Sequence, residues 1–384
     1  MHAEWVPLVV ALLVFAASLV SLGVGLSVAI VEILIGALAG GAGLEPQAWM
    51  RFLAGFGGVL LTYLAGTEID ARLMKERFRE SFAIGLLSFL LPFAGTALYA
   101  HWVAGWSLAA ALVAGCALST TSLAVVYSVL VETGLSRTEI GKLILAATFI
   151  TDMGTALALS VLFLKPTVYT ALFVVVSILV IVLATRFSHA VFDHPRLKNK
   201  VIEPEIKYVF LLLFAFMYFA TLGDGHAVLP AFLLGLLMSP HFSETAETKA
   251  VRNRLRTVAY AVITPMFFLV GGMNVSITLI ASVWTLFLVL FALKMGTKFV
   301  GVYFLARRYM PGGSMYTTLL MSTGLTFGTI SSVFGLQAGL IDQTQYSLLV
   351  GVVIASAVIP TFIAQKWFMP VHSEDRLDLN GNQT

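Results

Sequence analysis

Apolar residues in this chain fall into long blocks separated by short polar turns. The blocks lie at roughly 5–22, 26–42, 50–69, 81–100, 107–131, 139–164, 168–187, 207–223, 227–240, 257–274, 279–306, 314–338 and 345–369. About 20 consecutive apolar residues suffice for a helix to cross the hydrocarbon of a bilayer. The pattern therefore predicts an all-α polytopic membrane protein of about thirteen transmembrane helices. Two boundaries are thin: Gly23–Ser27 and Gly223-Asp224-Gly225-His226. A twelve-span reading follows if either one is lost. No block alternates polar and apolar with period two, which argues against a porin-type barrel.

Composition narrows the class. Hydrophobic residues make up 59% of the chain and charged ones 11%, against about 25% charged in an ordinary soluble domain. A soluble enzyme, a nucleic-acid-binding protein and a disulfide-stapled secreted domain are excluded. The net charge of +3 matters less than where the positive residues sit. With the N-terminus outside, nineteen of the 23 Lys and Arg fall on the inner side, as the positive-inside rule requires. The C-terminus is then cytoplasmic. The expected location is the inner or plasma membrane of a prokaryotic cell. The single cysteine, Cys116, sits in an apolar block and reads as a small buried hydrophobe. The start, MHAEWVPLVV, does not read as a cleaved signal peptide. The polar stretch 188–206 reads as a cytoplasmic linker between two halves, and 370–384 as a short polar cytoplasmic tail.

An ionisable side chain deep in hydrocarbon costs about 2.5–3.5 kcal/mol on insertion scales, so the few present carry the most information. They are Glu32, Asp152, Lys294 and Lys298, with Glu68 and Asp70 at the inner end of the third block. Asp152 lies mid-block among Thr148, Thr151 and Thr155. It reads as a carboxylate that holds either a proton or a small cation, or as a permanently paired acid joining helices. Lys298 reads as its partner or proton carrier, or as a structural counter-ion. Lys294, four residues earlier and on the same helix face, reads first as a counter-ion. Glu32 reads as a hydrogen-bonded structural acid or as the lining of a cavity. Two blocks carry interruptions: Ser119-Thr120-Thr121-Ser122 in the fifth, and Ser322 to Ser332, rich in Gly, Ser and Thr, in the twelfth. Non-helical backbone at membrane depth is tolerated where it lines a cavity or is buried in protein. Paired interrupted segments of opposite direction point to the site of a transporter built from inverted repeats. Tight packing through small residues is the alternative reading.

These residues resemble the monovalent cation–proton antiporter superfamily, especially its second branch, which includes potassium-efflux antiporters. The resemblance rests on VAIVEILIGALAGG, VLLTYLAGTEIDARLM, Thr121-Ser122, FITDMGTALAL, ITPMFFLVGGMNV and KFVGVYFLARR, in that order along nearly the whole chain. It implies inverted repeats with two crossing broken helices. It also implies a mobile core (about 81–164 and 279–369), a dimerisation scaffold (about 1–70 and 168–274), a homodimer and elevator-like alternating access. It favours Lys298 over Lys294 as the basic residue of the site. One departure stands out: Thr151 occupies the place before the essential acid where members carry Asp, Asn or Gln. Expected function is exchange of Na⁺ or K⁺ for protons, electroneutral at one for one. Asp152, Thr121 and Ser122 would hold the cation, Thr151, Thr120 and Lys298 would lie around it, and Glu68, Glu32 and Lys294 would be accessory. Carbonyls freed at the first break would add ligands. No cofactor is expected. A sodium-coupled organic-solute symporter is the alternative, ahead of a channel; an intramembrane protease lacks a second intramembrane Asp or a buried His.

Overall fold

The computed structural model describes residues 4–24, 27–67, 77–135, 138–162, 167–192, 202–223, 227–244 and 246–370. Among them every regular element is helical: α1 (Val6–Val24), α2 (Val28–Gly41), α3 (Ala48–Thr67), α4 (Phe78–Trp102), α5 (Leu108–Ser119), α6 (Leu123–Glu132), α7 (Glu139–Leu162), α8 (Val168–Phe192), α9 (Pro204–Leu222), α10 (Val228–Glu244), α11 (Ala246–Val258), α12 (Thr264–Met273), α13 (Ile277–Ser282), α14 (Trp284–Tyr309), α15 (Ser314–Met321), α16 (Thr326–Gln337) and α17 (Gln343–Trp367). Ten described segments are long and apolar enough to span a bilayer. Shorter apolar helices occupy Val28–Gly41, Leu108–Ser119 and Val228–Pro240. The difference from thirteen full-length spans has local causes. The fifth block is cut at Thr120, and the second and ninth are short.

Other boundaries differ from the hydropathy reading for identifiable reasons. The tenth block continues an amphipathic helix, α11, through a π turn at Ala259–Ile263 into α12. Pro265 follows that turn, and the wider turn relieves the clash a proline ring makes with the preceding helical carbonyl. The eleventh block begins as α13 and restarts at Trp284. Helix α8 runs on to Phe192, into the stretch read as linker; residues 193–201, Glu68, Asp70 and the tail 371–384 lie outside the described residues.

Two sets of helices pack within themselves. Helices α1, α2, α3 and α8–α12 form one set and α4–α7 with α14–α17 the other, meeting chiefly where α7 touches α10 and α16 touches α3. Backbones in the first set approach closely. A Cβ on Gly36 would lie 2.2 Å from the Leu269 carbonyl oxygen, and one on Gly272 2.1 Å from that of Ile33. Small residues allow this contact, which replaces the hydrophobic drive that lipid cannot supply. Helix α8 turns Val168, Leu172, Val175, Leu179 and Val182 outward, an i, i+4, i+7 stripe suited to acyl chains.

Candidate functional site: a crossing of two broken helices

The sequence breaks both helices with side chains that compete for backbone groups. After α5 the chain is extended at Thr120 (ψ 154°) and resumes as α6 at Leu123. Ser119 and Thr120 donate their hydroxyls to the carbonyls of Cys116 and Ala117, which a terminating helix leaves without helical partners. After α15, Ser322 and Thr323 do the same for Thr318 and Leu320, and α16 starts at Thr326. The breaks meet. The Thr121 hydroxyl donates to the Met321 carbonyl at 2.8 Å. A Cβ on Gly328 would sit 2.9 Å from the Ala117 carbonyl oxygen.

Both lysines of α14 enter this crossing, and both are fully buried. Lys298 Nζ donates to the hydroxyls of Ser88 and Thr121, each at 2.9 Å. Lys294 Nζ donates to the carbonyls of Leu118 at 3.1 Å and Thr120 at 3.4 Å. Both carbonyls lie at the first break, and both accept from Lys294. It also lies against the second break, because a Cβ on Gly324 would be 2.6 Å from Nζ. Lys294 is thus nearer the breaks than the resemblance to a single basic residue suggested.

Helix α7 packs against all four half-helices, α5, α6, α15 and α16. It carries Asp152, 2% exposed, and Asp152 lies within electrostatic reach of Lys298. One turn earlier, Thr148 reaches the Met321 sulfur at 3.4 Å. Thr151 donates to the Thr148 carbonyl at 2.6 Å and Thr155 to that of Thr151 at 3.0 Å. Their oxygen lone pairs stay available to a cation. Ser122 Oγ accepts only the distant Val125 N–H, at 3.4 Å. Glu32 is buried too (2% exposed), on α2, which packs chiefly on α12 and α1, so it is not gathered with the others. Sequence reasoning missed Ser88; Gly324 lay within the second interruption it named. A lone serine in an apolar helix gives no signal distinct from Ser18, which simply donates to the Val14 carbonyl.

A helical membrane protein with two interrupted helices meeting beside a buried acid belongs to a small set of architectures. Residues 8–368 match the family described as sodium/hydrogen exchanger, transmembrane, and the chain belongs to that family, within the monovalent cation–proton antiporter superfamily. It is similar to a probable Na⁺/H⁺ antiporter 3 of Methanocaldococcus jannaschii, 27% identical over 85% of this chain and 86% of the relative. The Na⁺/H⁺–K⁺ antiporter GerN of Bacillus cereus is 25% identical over 85% of this chain and 86% of its own length. In fold the chain is similar to the sodium proton antiporter MjNhaP1 from Methanocaldococcus jannaschii. The TM-score is 0.68, the identity 11%, and the match covers 96% of this chain and all of that one.

Proposed function

We propose that this protein exchanges a monovalent alkali cation, Na⁺ or K⁺, for protons across a membrane, with Asp152 as the seat the two ions share. The observation that carries the reading is the placement of Asp152: a buried carboxyl on the helix that touches all four halves of the broken pair. A carboxylate in low dielectric must be compensated, and either a proton or a cation can do it, not both. Neutral oxygens of Thr151, Ser122 and Thr121 suit a hard cation. With Leu118 and Thr120 held by Lys294, the cation is confined to the Asp152 side of the crossing. The relatives named above are cation–proton antiporters by name, and nothing favours the organic-solute symporter.

Helices α4–α7 and α13–α17 act as the moving core, and α1–α3 with α8–α12 as the scaffold through which two copies associate. The protein works as an integral protein of a cell's inner or plasma membrane, N-terminus outside. Asp152→Asn, reconstituted in proteoliposomes, is expected to lose cation-dependent dissipation of a pH gradient by at least about a hundredfold, the loss that follows from removing the sole shared carrier group. Substantial residual exchange defeats the proposal.

A further inference from the structure

The usual partner of a threonine inside these helices is the carbonyl four residues back, as for Thr62, Thr155, Thr185, Thr221, Thr318 and Thr361. Thr148, fully buried on α7, takes another. It donates to the thioether sulfur of Met321 at 3.4 Å. Met321 is fully buried as well and is the last residue of α15, at the second break, where its carbonyl accepts from Thr121. A thioether is a weak acceptor, so Thr148 holds a bond that costs little to give up. Thr317 also reaches a sulfur, that of Met310 at 3.9 Å, but one turn beyond it stands Met321. One turn beyond Thr148 stands Asp152.

Residues four apart on a helix are neighbours, and a helical side chain leans toward the turn before its own Cα. The Asp152 carboxyl is thereby turned toward Thr148. Thr151 and Thr155, the other hydroxyls beside it on α7, are tied to backbone carbonyls at 2.6 and 3.0 Å. Charged groups around the pair are few. Of the helices packed on α7, α5, α15 and α16 carry none. Those of α4, α6 and α10 (Arg79, Glu80, His101, Glu132, His241 and Glu244) stand in end turns, as do Glu139 and Lys142 of α7 itself. Lys298 of α14 lies within electrostatic reach of Asp152 and of Lys294.

We propose that Thr148 and Met321 are positioning residues that set the pH at which Asp152 gives up its proton, an inference that rests on the proposed exchange at Asp152. With a proton or a cation on Asp152, the Thr148 hydroxyl rests on the sulfur. With the carboxylate empty, the hydroxyl turns to it, because a hydrogen bond to an ionised acceptor is roughly twice as strong as a neutral one. The sulfur thus steadies the two occupied forms of the site, and the hydroxyl steadies the empty one.

The test is the pH dependence of sodium-dependent exchange in proteoliposomes, at sodium well below saturation so that the acid-side midpoint reports the empty site. Exchange falls there as protons take the carboxylate. Thr148→Val, of the same shape, removes the donor that favours the ionised form, so its midpoint should rise by about one pH unit. Thr148→Ser keeps the donor and should keep the wild-type midpoint. Met321→Leu removes the resting acceptor of the occupied forms, so its midpoint should fall by about half a unit. It gives a second reading if Thr148→Val fails to fold. The double variant should match Thr148→Val, since the sulfur acts only through that hydroxyl; a loss of packing alone would not move midpoints in opposite directions and then cancel one of them. A folded Thr148→Val with the wild-type midpoint overturns the proposal, as does a Met321→Leu midpoint that stays or rises. Asp152→Asn separates the two readings. Exchange that survives in it removes the shared seat, whereas its loss beside an unmoved Thr148→Val midpoint removes only the role of Thr148.

Discussion

The two buried lysines look interchangeable by burial and differ by partner. Lys298 donates to hydroxyls, which can rotate and donate to a carbonyl when the ammonium is removed. Lys294 donates to carbonyls, which can only accept and have nowhere else to turn. Each buried acceptor left unpaired costs about 1–3 kcal/mol. Lys294→Met, of similar length without the charge, is therefore expected to destabilise the protein by about 2–6 kcal/mol. Lys298→Met should cost clearly less. Thermal melting of the two purified variants side by side checks this, and equal losses would show that the hydrogen-bond partners do not govern the difference.

At the scale of the element, the crossing is held by what passes between the breaks. An alanine at Gly324 would place its Cβ 2.6 Å from Lys294 Nζ and 2.9 Å from Thr120 Oγ1. The flexible end of the lysine gives way before the backbone does, so Gly324→Ala should push the ammonium off the Leu118 and Thr120 carbonyls. Its effect on melting and on exchange should then largely repeat that of Lys294→Met. The double variant should fall short of the sum of the two singles by about 1 kcal/mol or more, as residues sharing one contact do; additive losses would remove Lys294 from that seat. How much of this could be read in advance differs by kind. The helices were legible because a run of apolar residues reports its own environment. The breaks at 120–122 and 322–325 were legible because clustered Ser and Thr compete locally for the backbone. The partners were not. Spacing places Lys294 and Lys298 on one face of α14, but which of them reaches the Leu118 carbonyl depends on how α14 lies on the first break, some 174 residues away in sequence. Resemblance favoured Lys298 over Lys294. Ser88 matters only through contacts formed by folding, and its type is ordinary for membrane helices.

For the whole molecule, the question is how much charge moves when the core changes sides. Three ionisable groups are gathered at the crossing among the described residues: Asp152, Lys294 and Lys298. Lys294 donates to two carbonyls, which either an ammonium or a neutral amine satisfies, so its hydrogen bonds require no proton to come or go during the cycle. Thr151, one residue before Asp152, has no ionisable proton to exchange with Lys298 and donates its hydroxyl to the Thr148 carbonyl. Lys298 is held instead by Ser88 and by Thr121, which passes the hydrogen bond on to Met321. Only Asp152 then changes occupant, and its protonated and cation-bound forms carry the same net charge. Exchange should be one for one and electroneutral. Moving one elementary charge through 100 mV is worth about 2.3 kcal/mol, close to fiftyfold in an equilibrium constant. In vesicles clamped with a potassium ionophore and assayed for sodium exchange, an imposed 100 mV of either sign should change the initial rate by less than about twofold. A clear acceleration by one polarity and slowing by the other would mean that a second proton, most simply that of Lys298, travels with each turnover.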